Sequence, residues 1–283
     1  MKKIKKLSKR AILVVVCACI VASILIAALG LQIAFMISDT IECWHPDYEQ
    51  VDISQILEKS ELSDEDYATL YAQTGLTQIG IDRCLSHGSN GKKRILAIQK
   101  DFFTAHTVRN DFYAPYVCTD FIDGEMTACY LENGDILVSA STHVSSWRIG
   151  HAGLVTDSSF NEVLQASAYG ETSAVGSLAD FTDRVNFMIF SPKADTETKN
   201  NVAQYAKENL LGKTYDVTVG VLTDKDNVEK TQCSHIIWYA YKQFGIDIDC
   251  DGGKVVTPRN IANSTELELV QVFGFDIQKL WKY

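Results

Sequence analysis

Charge is missing altogether between Arg10 and Asp39, and the ten residues before that gap hold six Lys/Arg and no acid. As a helix, the 27 uncharged residues 11–37 would be roughly 40 Å long, more than the ~30 Å hydrocarbon core of a bilayer. That is longer than the core of an ordinary signal peptide. The expectation is a single-pass cell-membrane protein whose basic flank stays in the cytoplasm, with residues 38–283 extracytoplasmic. A cleaved signal, or a lipoprotein acylated at Cys17, are the alternatives. Basic residues are also short outside this segment, where 20 Lys/Arg face 36 Asp/Glu, a balance of about −16. So acidic a body does not bind nucleic acid by neutralising phosphates. Proline is scarce too, four in 283 residues, and no repeat or low-complexity linker interrupts the chain. No domain boundary is therefore marked by composition. The reading is an anchor over 1–37, a helical lead-in over 38–112 and one catalytic domain over 113–283.

What is present divides by pattern. Residues 50–110 show helical spacing. Ser63 and Asp66 form a capping-box-like start, and Gly75 is a stop. From Tyr113 the chain changes to short β-rich runs: DILVSAS, GHAGLVTD, EVLQASA and VNFMIFSP. Helices are expected again over about 196–211 and 233–244. Helices, then strands, then helices is an α+β order. Six cysteines lie outside the apolar run: Cys43, Cys84, Cys118, Cys129, Cys233 and Cys250. VCTDFIDGEMTAC is symmetric about Asp123-Gly124, a favoured hairpin dipeptide. That turn would place Cys118 and Cys129 opposite each other within disulfide range.

The stretch TQCSHIIWYAYKQFGIDIDCDGGKVVTP (231–258) has three claimants. A calcium loop opening at Asp247 needs Glu at its twelfth position and finds Pro258. A Cys233–Cys250 disulfide would consume the one thiol placed for chemistry. The third reading puts Cys233 in the first turn of a helix, with Thr231 as N-cap. There the exposed N–H groups and helix dipole favour a thiolate and can hold an oxyanion. His235, two residues on, points elsewhere, whereas His151 enters a strand through Gly150 and can act as base. On the following strand Glu162 and Gln165 are three apart and face opposite sides, so only one of them can orient the imidazole.

Four segments in this order, GDILVS (134–139), WRIGHAGLV (147–155), TQCSHIIWYAY (231–241) and VTPRNI (256–261), resemble the permuted papain-like cysteine hydrolases. These are the YiiX/YaeF-type relatives of the NlpC-type cell-wall peptidases. In that branch the His strand precedes the Cys helix, as it does here. The resemblance covers roughly 130–265. It implies a circularly permuted papain-like α+β fold, with Cys233 as nucleophile and His151 as general acid/base. Gln165 takes the third position, where the family often has Glu, and Glu162 is the reserve. The implied activity is an amidase or peptidase acting on cell-wall peptides or a lipid amide or ester, with no cofactor or metal. Acyl transfer, or a non-enzymatic surface-binding module on the same fold, are the other readings.

Overall fold

The computed structural model describes residues 8–38, 41–114, 117–144 and 147–281. Helix α1 (Lys9–Ser38) is followed by α2 (Ser54–Leu57), α3 (Asp64–Thr74), α4 (Gln78–Leu85) and α5 (Gly88–Phe102). Strands then dominate: β1 (Val108–Ala114), β2 (Val117–Ile122), β3 (Ile136–Ser139), β4 (Thr142–Val144), β5 (Trp147–Arg148), β6 (His151–Asp157), β7 (Glu162–Gln165) and β8 (Ala174–Ser177). A short α6 (Ala179–Thr182) leads into β9 (Phe187–Pro192) and α7 (Thr196–Asn209). The chain closes with β10 (Thr214–Tyr215), β11 (Lys230–Thr231), α8 (Cys233–Lys242), α9 (Pro258–Ala262) and β12 (Leu267–Phe273). The architecture is mixed α+β behind an apolar N-terminal helix.

That first helix is long and apolar enough to cross a membrane, with a mean hydropathy of 3.2 over its apolar stretch, which is not buried against the rest of the chain. Helix α3 starts at a complete capping box between Ser63 and Asp66 and ends at Gly75 with φ +69°. Both ends follow from local chemistry: a side chain satisfies the first orphan N–H groups, and a residue without Cβ takes the left-handed position.

The centre is a six-stranded antiparallel sheet in the order β12-β9-β3-β6-β7-β8. Its inner strands are buried on both faces, which is why ILVS and HAGLVT read as continuous rather than alternating runs. Strands β3, β6, β7, β9 and β12 each feed two cores. Leu137, Val155, Val163 and Ile189 pack with lead-in residues such as Leu70, Ile81, Ile95 and Phe102. On the other face Ile136, Val138, Leu154 and Met188 pack with Val202 of α7 and Ile237, Trp238 and Tyr241 of α8. At ~1.5–3 kcal/mol for each large buried apolar side chain, these two layers dominate the favourable side of folding. The lead-in helices thus share a core with the sheet. The backbone N–H of Thr77 donates to the Val270 carbonyl at 3.0 Å. The 112/113 division falls inside β1.

The Asp123-Gly124 hairpin does not form. Gly124 takes a positive φ of +100°, as its turn chemistry favours. However, β2 pairs with β1 and β4, so Cys118 lies opposite Phe112 and His143. The chain after the turn runs away from β2: Met126 N–H donates to the Thr182 carbonyl at 2.8 Å, and Cys129 N–H is held by Gln271. The eight cysteines, all described, form no disulfide. Cys129 has its sulfur 3.7 Å from that of Cys84 instead.

Candidate active site

Cys233 is the first residue of α8. Its N-cap is Gln232, whose side chain makes no cap bond. The Thr231 hydroxyl is instead 2.9 Å from His235 Nδ1, and the other ring nitrogen of His235 is 2.7 Å from the Lys225 carbonyl oxygen. That imidazole ties the loop before α8 to the helix and does no work at the thiol. Cys250 is exposed while Cys233 is buried. The acids of the same stretch have structural partners. Asp247 accepts from Trp238 Nε1 at 2.9 Å, and Asp249 pairs with Lys225 at 3.1 Å.

His151 and Cys233 line the same cavity. Around the sulfur are the N–H of Ala152, the hydroxyl of Ser234 and the N–H of Ser234. His151 opens β6 immediately after Gly150, whose φ is +73°. A Cβ at Gly150 would come 2.5 Å from the Trp281 ring and 2.7 Å from the Ser139 carbonyl oxygen, so the entry to the strand requires glycine. The His151 ring stacks on Phe181 at 5.3 Å between centroids. Phe181 reaches it because Gly153, two residues along β6, leaves space that a Cβ would fill at 2.8 Å.

The imidazole's outer nitrogen is settled by its neighbours. His151 Nε2 is 2.8 Å from Gln165 Oε1, and Gln165 Nε2 donates to Asp180 Oδ2 at 2.6 Å. A carboxylate can only accept, so the Gln165 amide must turn its NH2 to Asp180 and its oxygen to His151. His151 Nε2 then carries the proton, and Nδ1 carries the lone pair that a base needs. Asp180 is itself fixed by the Ser177 N–H at 2.9 Å. Gly176 makes the contact sterically feasible: a Cβ there would sit 2.0 Å from Gln165 Nε2 and 2.3 Å from Asp180 Oδ2. Glu162, on the other face of β7, bonds Lys207 at 2.7 Å and lies outside this chain of contacts.

Sequence reasoning missed Asp180 and Arg184, both in SLADFTDR. No local signal marks them, since each acts on residues brought near by the sheet. Arg184 donates to the Asp180 carbonyl at 2.7 Å and to the Ser141 and Thr142 hydroxyls at 3.1 and 3.0 Å. It also lines the cavity beside Cys233 and His151.

The electrostatics differ from those of a ready-made ion pair. Burial holds the His151 pKa well below its ordinary value, at about 3, with Arg184 pushing the same way and the Gln165 bond opposing. Burial also pushes the Cys233 thiol up, against the Ala152 and Ser234 donors and the Arg184 charge. The expected helix-start thiolate is therefore overruled. Loss of hydration outweighs the N–H groups and the dipole, so the resting pair is a neutral thiol and a neutral imidazole.

No protein-family model, curated protein or solved structure matches the chain.

Proposed function

We propose that the chain is a membrane-anchored extracytoplasmic cysteine hydrolase of the permuted papain-like kind, cleaving an amide or ester through an acyl-enzyme. The observation that carries this is the ordered series His151–Gln165–Asp180 ending in the cavity where Cys233 begins α8. An amide and a carboxylate in series fix one tautomer of one imidazole, and that has a purpose when Nδ1 must accept a proton. The Gln at the third position is not a sign of lost function, because the negative charge stands one contact further out.

With both groups neutral at rest, attack and proton transfer are coupled. The thiol proton passes to His151 Nδ1 as the S–C bond forms and the carbonyl electron pair moves to oxygen. The Cys233 backbone N–H faces that oxygen in this reading. Collapse breaks the C–N or C–O bond while Nδ1 returns its proton to the leaving atom. Water, or another acceptor in the acyl-transfer variant, then attacks the thioester carbonyl as its proton passes to Nδ1. The C–S bond breaks, and Nδ1 returns that proton to sulfur, which restores the neutral pair.

The test is covalent. The full chain in lipid nanodiscs is treated with an acyl p-nitrophenyl ester and quenched in acid, and its acylated residues are mapped by mass spectrometry. A single acyl adduct on Cys233, lost in Cys233→Ala and strongly reduced in His151→Ala, is expected. Equal acylation of His151→Ala, or no adduct between pH 5 and 9, refutes the enzyme and favours a binding module.

A further inference from the structure

Cys233 stands on a wall shared by two cavities of different character. The smaller, about 200 Å³, is walled by Val117, Ile149, Ala168, Tyr169 and Val217. Its polar groups include His151, Thr142 and Arg184, and these are engaged: Arg184 with Ser141, Thr142 and the Asp180 carbonyl, and His151 with Gln165. The larger, about 680 Å³, shares Ile149 and Val217 with it and adds Gln232, Thr257, Arg148, Arg259, Trp147 and Trp281 among others. His151 faces the smaller cavity and is not part of the larger one's lining.

That asymmetry has a chemical meaning. A general acid must come within hydrogen-bond reach of the atom it protonates, so the group that departs lies on the His151 side. On the hydrolase reading, the larger cavity is then left for the acyl part held on sulfur. We propose that the smaller cavity is a binding site for an apolar chain, and that the departing amine or alcohol of the substrate carries it. The assignment of the chain to the departing group rests on the hydrolase reading; its binding in the cavity does not. A charged or strongly hydrated group would lose its water against valine, isoleucine and alanine walls, and the guanidinium that lines the cavity, Arg184, is already held by Ser141, Thr142 and the Asp180 carbonyl. An aliphatic group gains affinity instead, about fourfold per methylene at the usual transfer value. Taking ~30 Å³ as the share of a water-sized unit, the cavity holds roughly six such units. The aliphatic group could come from a lipid or from an apolar amino-acid side chain. The shared chemistry is a compact apolar chain of about six carbons.

The experiment reads the thiol without requiring turnover. Cys233 in the full chain, in nanodiscs at pH 9, is alkylated with iodoacetamide in the presence of n-alkanols from ethanol to octanol. Exposed Cys250 is the internal reference. Protection of Cys233 should strengthen about fourfold per carbon and level off near six, with Cys250 unaffected. Ala168→Glu should abolish the protection, and Tyr169→Glu on the exposed rim, which lines only the smaller cavity, serves the same purpose if the first variant does not fold. Leucinamide is the second arm. Protection equal to that of a four-carbon alkanol points to a peptide source, and protection by alkanols alone points to a lipid source. Protection independent of chain length, absent, or intact in a variant that folds overturns the proposal. The hydrolase reading fails separately: chain-dependent protection without an acyl adduct leaves the binding site and removes the enzyme. An adduct without chain dependence removes only the binding site.

Discussion

Lowering the pH from 7 to 5 should cost this protein about 2 kcal/mol through one side chain. His151 is neutral and buried in the folded chain, with a pKa of about 3, while an unfolded histidine titrates near 6.5. Between these values the unfolded chain binds a proton that the folded chain refuses, so stability rises with pH across the window. Above about 6.5 neither state is protonated and the contribution is complete. It is lost progressively as pH falls towards 3. At pH 5 the difference is about 1.5 units from the unfolded value, or about 2 kcal/mol at 1.36 kcal/mol per unit. The assay is urea unfolding of the detergent-solubilised full chain, followed by tryptophan fluorescence at pH 7 and pH 5, alongside His151→Gln. Other groups that titrate in this range, His235 among them, are common to both proteins and cancel in the difference. Wild type should lose about 2 kcal/mol more than the variant on acidification. If the two lose the same within about 0.5 kcal/mol, His151 does not sit as a buried neutral ring, and the tautomer argument falls with it.

Asp180→Leu should free the Gln165 amide to flip and lower turnover by about one to two orders of magnitude. Asp180→Asn, which can still offer an oxygen, should retain most of it, with kcat measured on any ester that acylates Cys233. Gln165→Leu should be at least as damaging, and Glu162→Gln, which removes only a surface pairing with Lys207, should be nearly silent. Alkylation of Cys233 by iodoacetamide should keep accelerating as pH rises through 9, because burial raises the thiol's pKa; a plateau below pH 7 would show a preformed thiolate. Exposure of the full chain to oxidised glutathione should join Cys84 to Cys129, whose buried sulfurs are 3.7 Å apart. The resulting closed loop should add up to about 4 kcal/mol of stability. A peptide map linking Cys118 to Cys129 would refute that pairing.

The parts of this structure that were legible beforehand are those decided by neighbours in sequence. The Ser63–Asp66 box, the Gly75 stop, the strand at His151 and the helix at Cys233 all follow from residues within a few positions of each other. The opposite faces of Glu162 and Gln165 follow from strand geometry alone. The failures come from distance. Asp123-Gly124 has real turn preference, yet β1 competes for β2 from upstream and wins, because a six-residue antiparallel register outweighs one dipeptide. Asp180 lies 15 residues from Gln165 and meets it only because β8 returns beside β7 and Gly176 opens the gap. The thiol's acidity was misjudged for the same reason. A helix start is visible in sequence, whereas the depth at which it is buried is set by everything packed above it.

The join between α1 and the folded body is short. Helix α1 ends at Ser38, and Cys43 is already buried in the lead-in core, with Trp44 bridged to Gly274 and its ring 5.6 Å from Phe102. Five residue steps can extend at most about 18 Å. With α1 in a bilayer, that tether holds Cys43 within about 18 Å of the helix end, so the folded body explores an area along the membrane rather than a volume. Lengthening the tether would enlarge that reach.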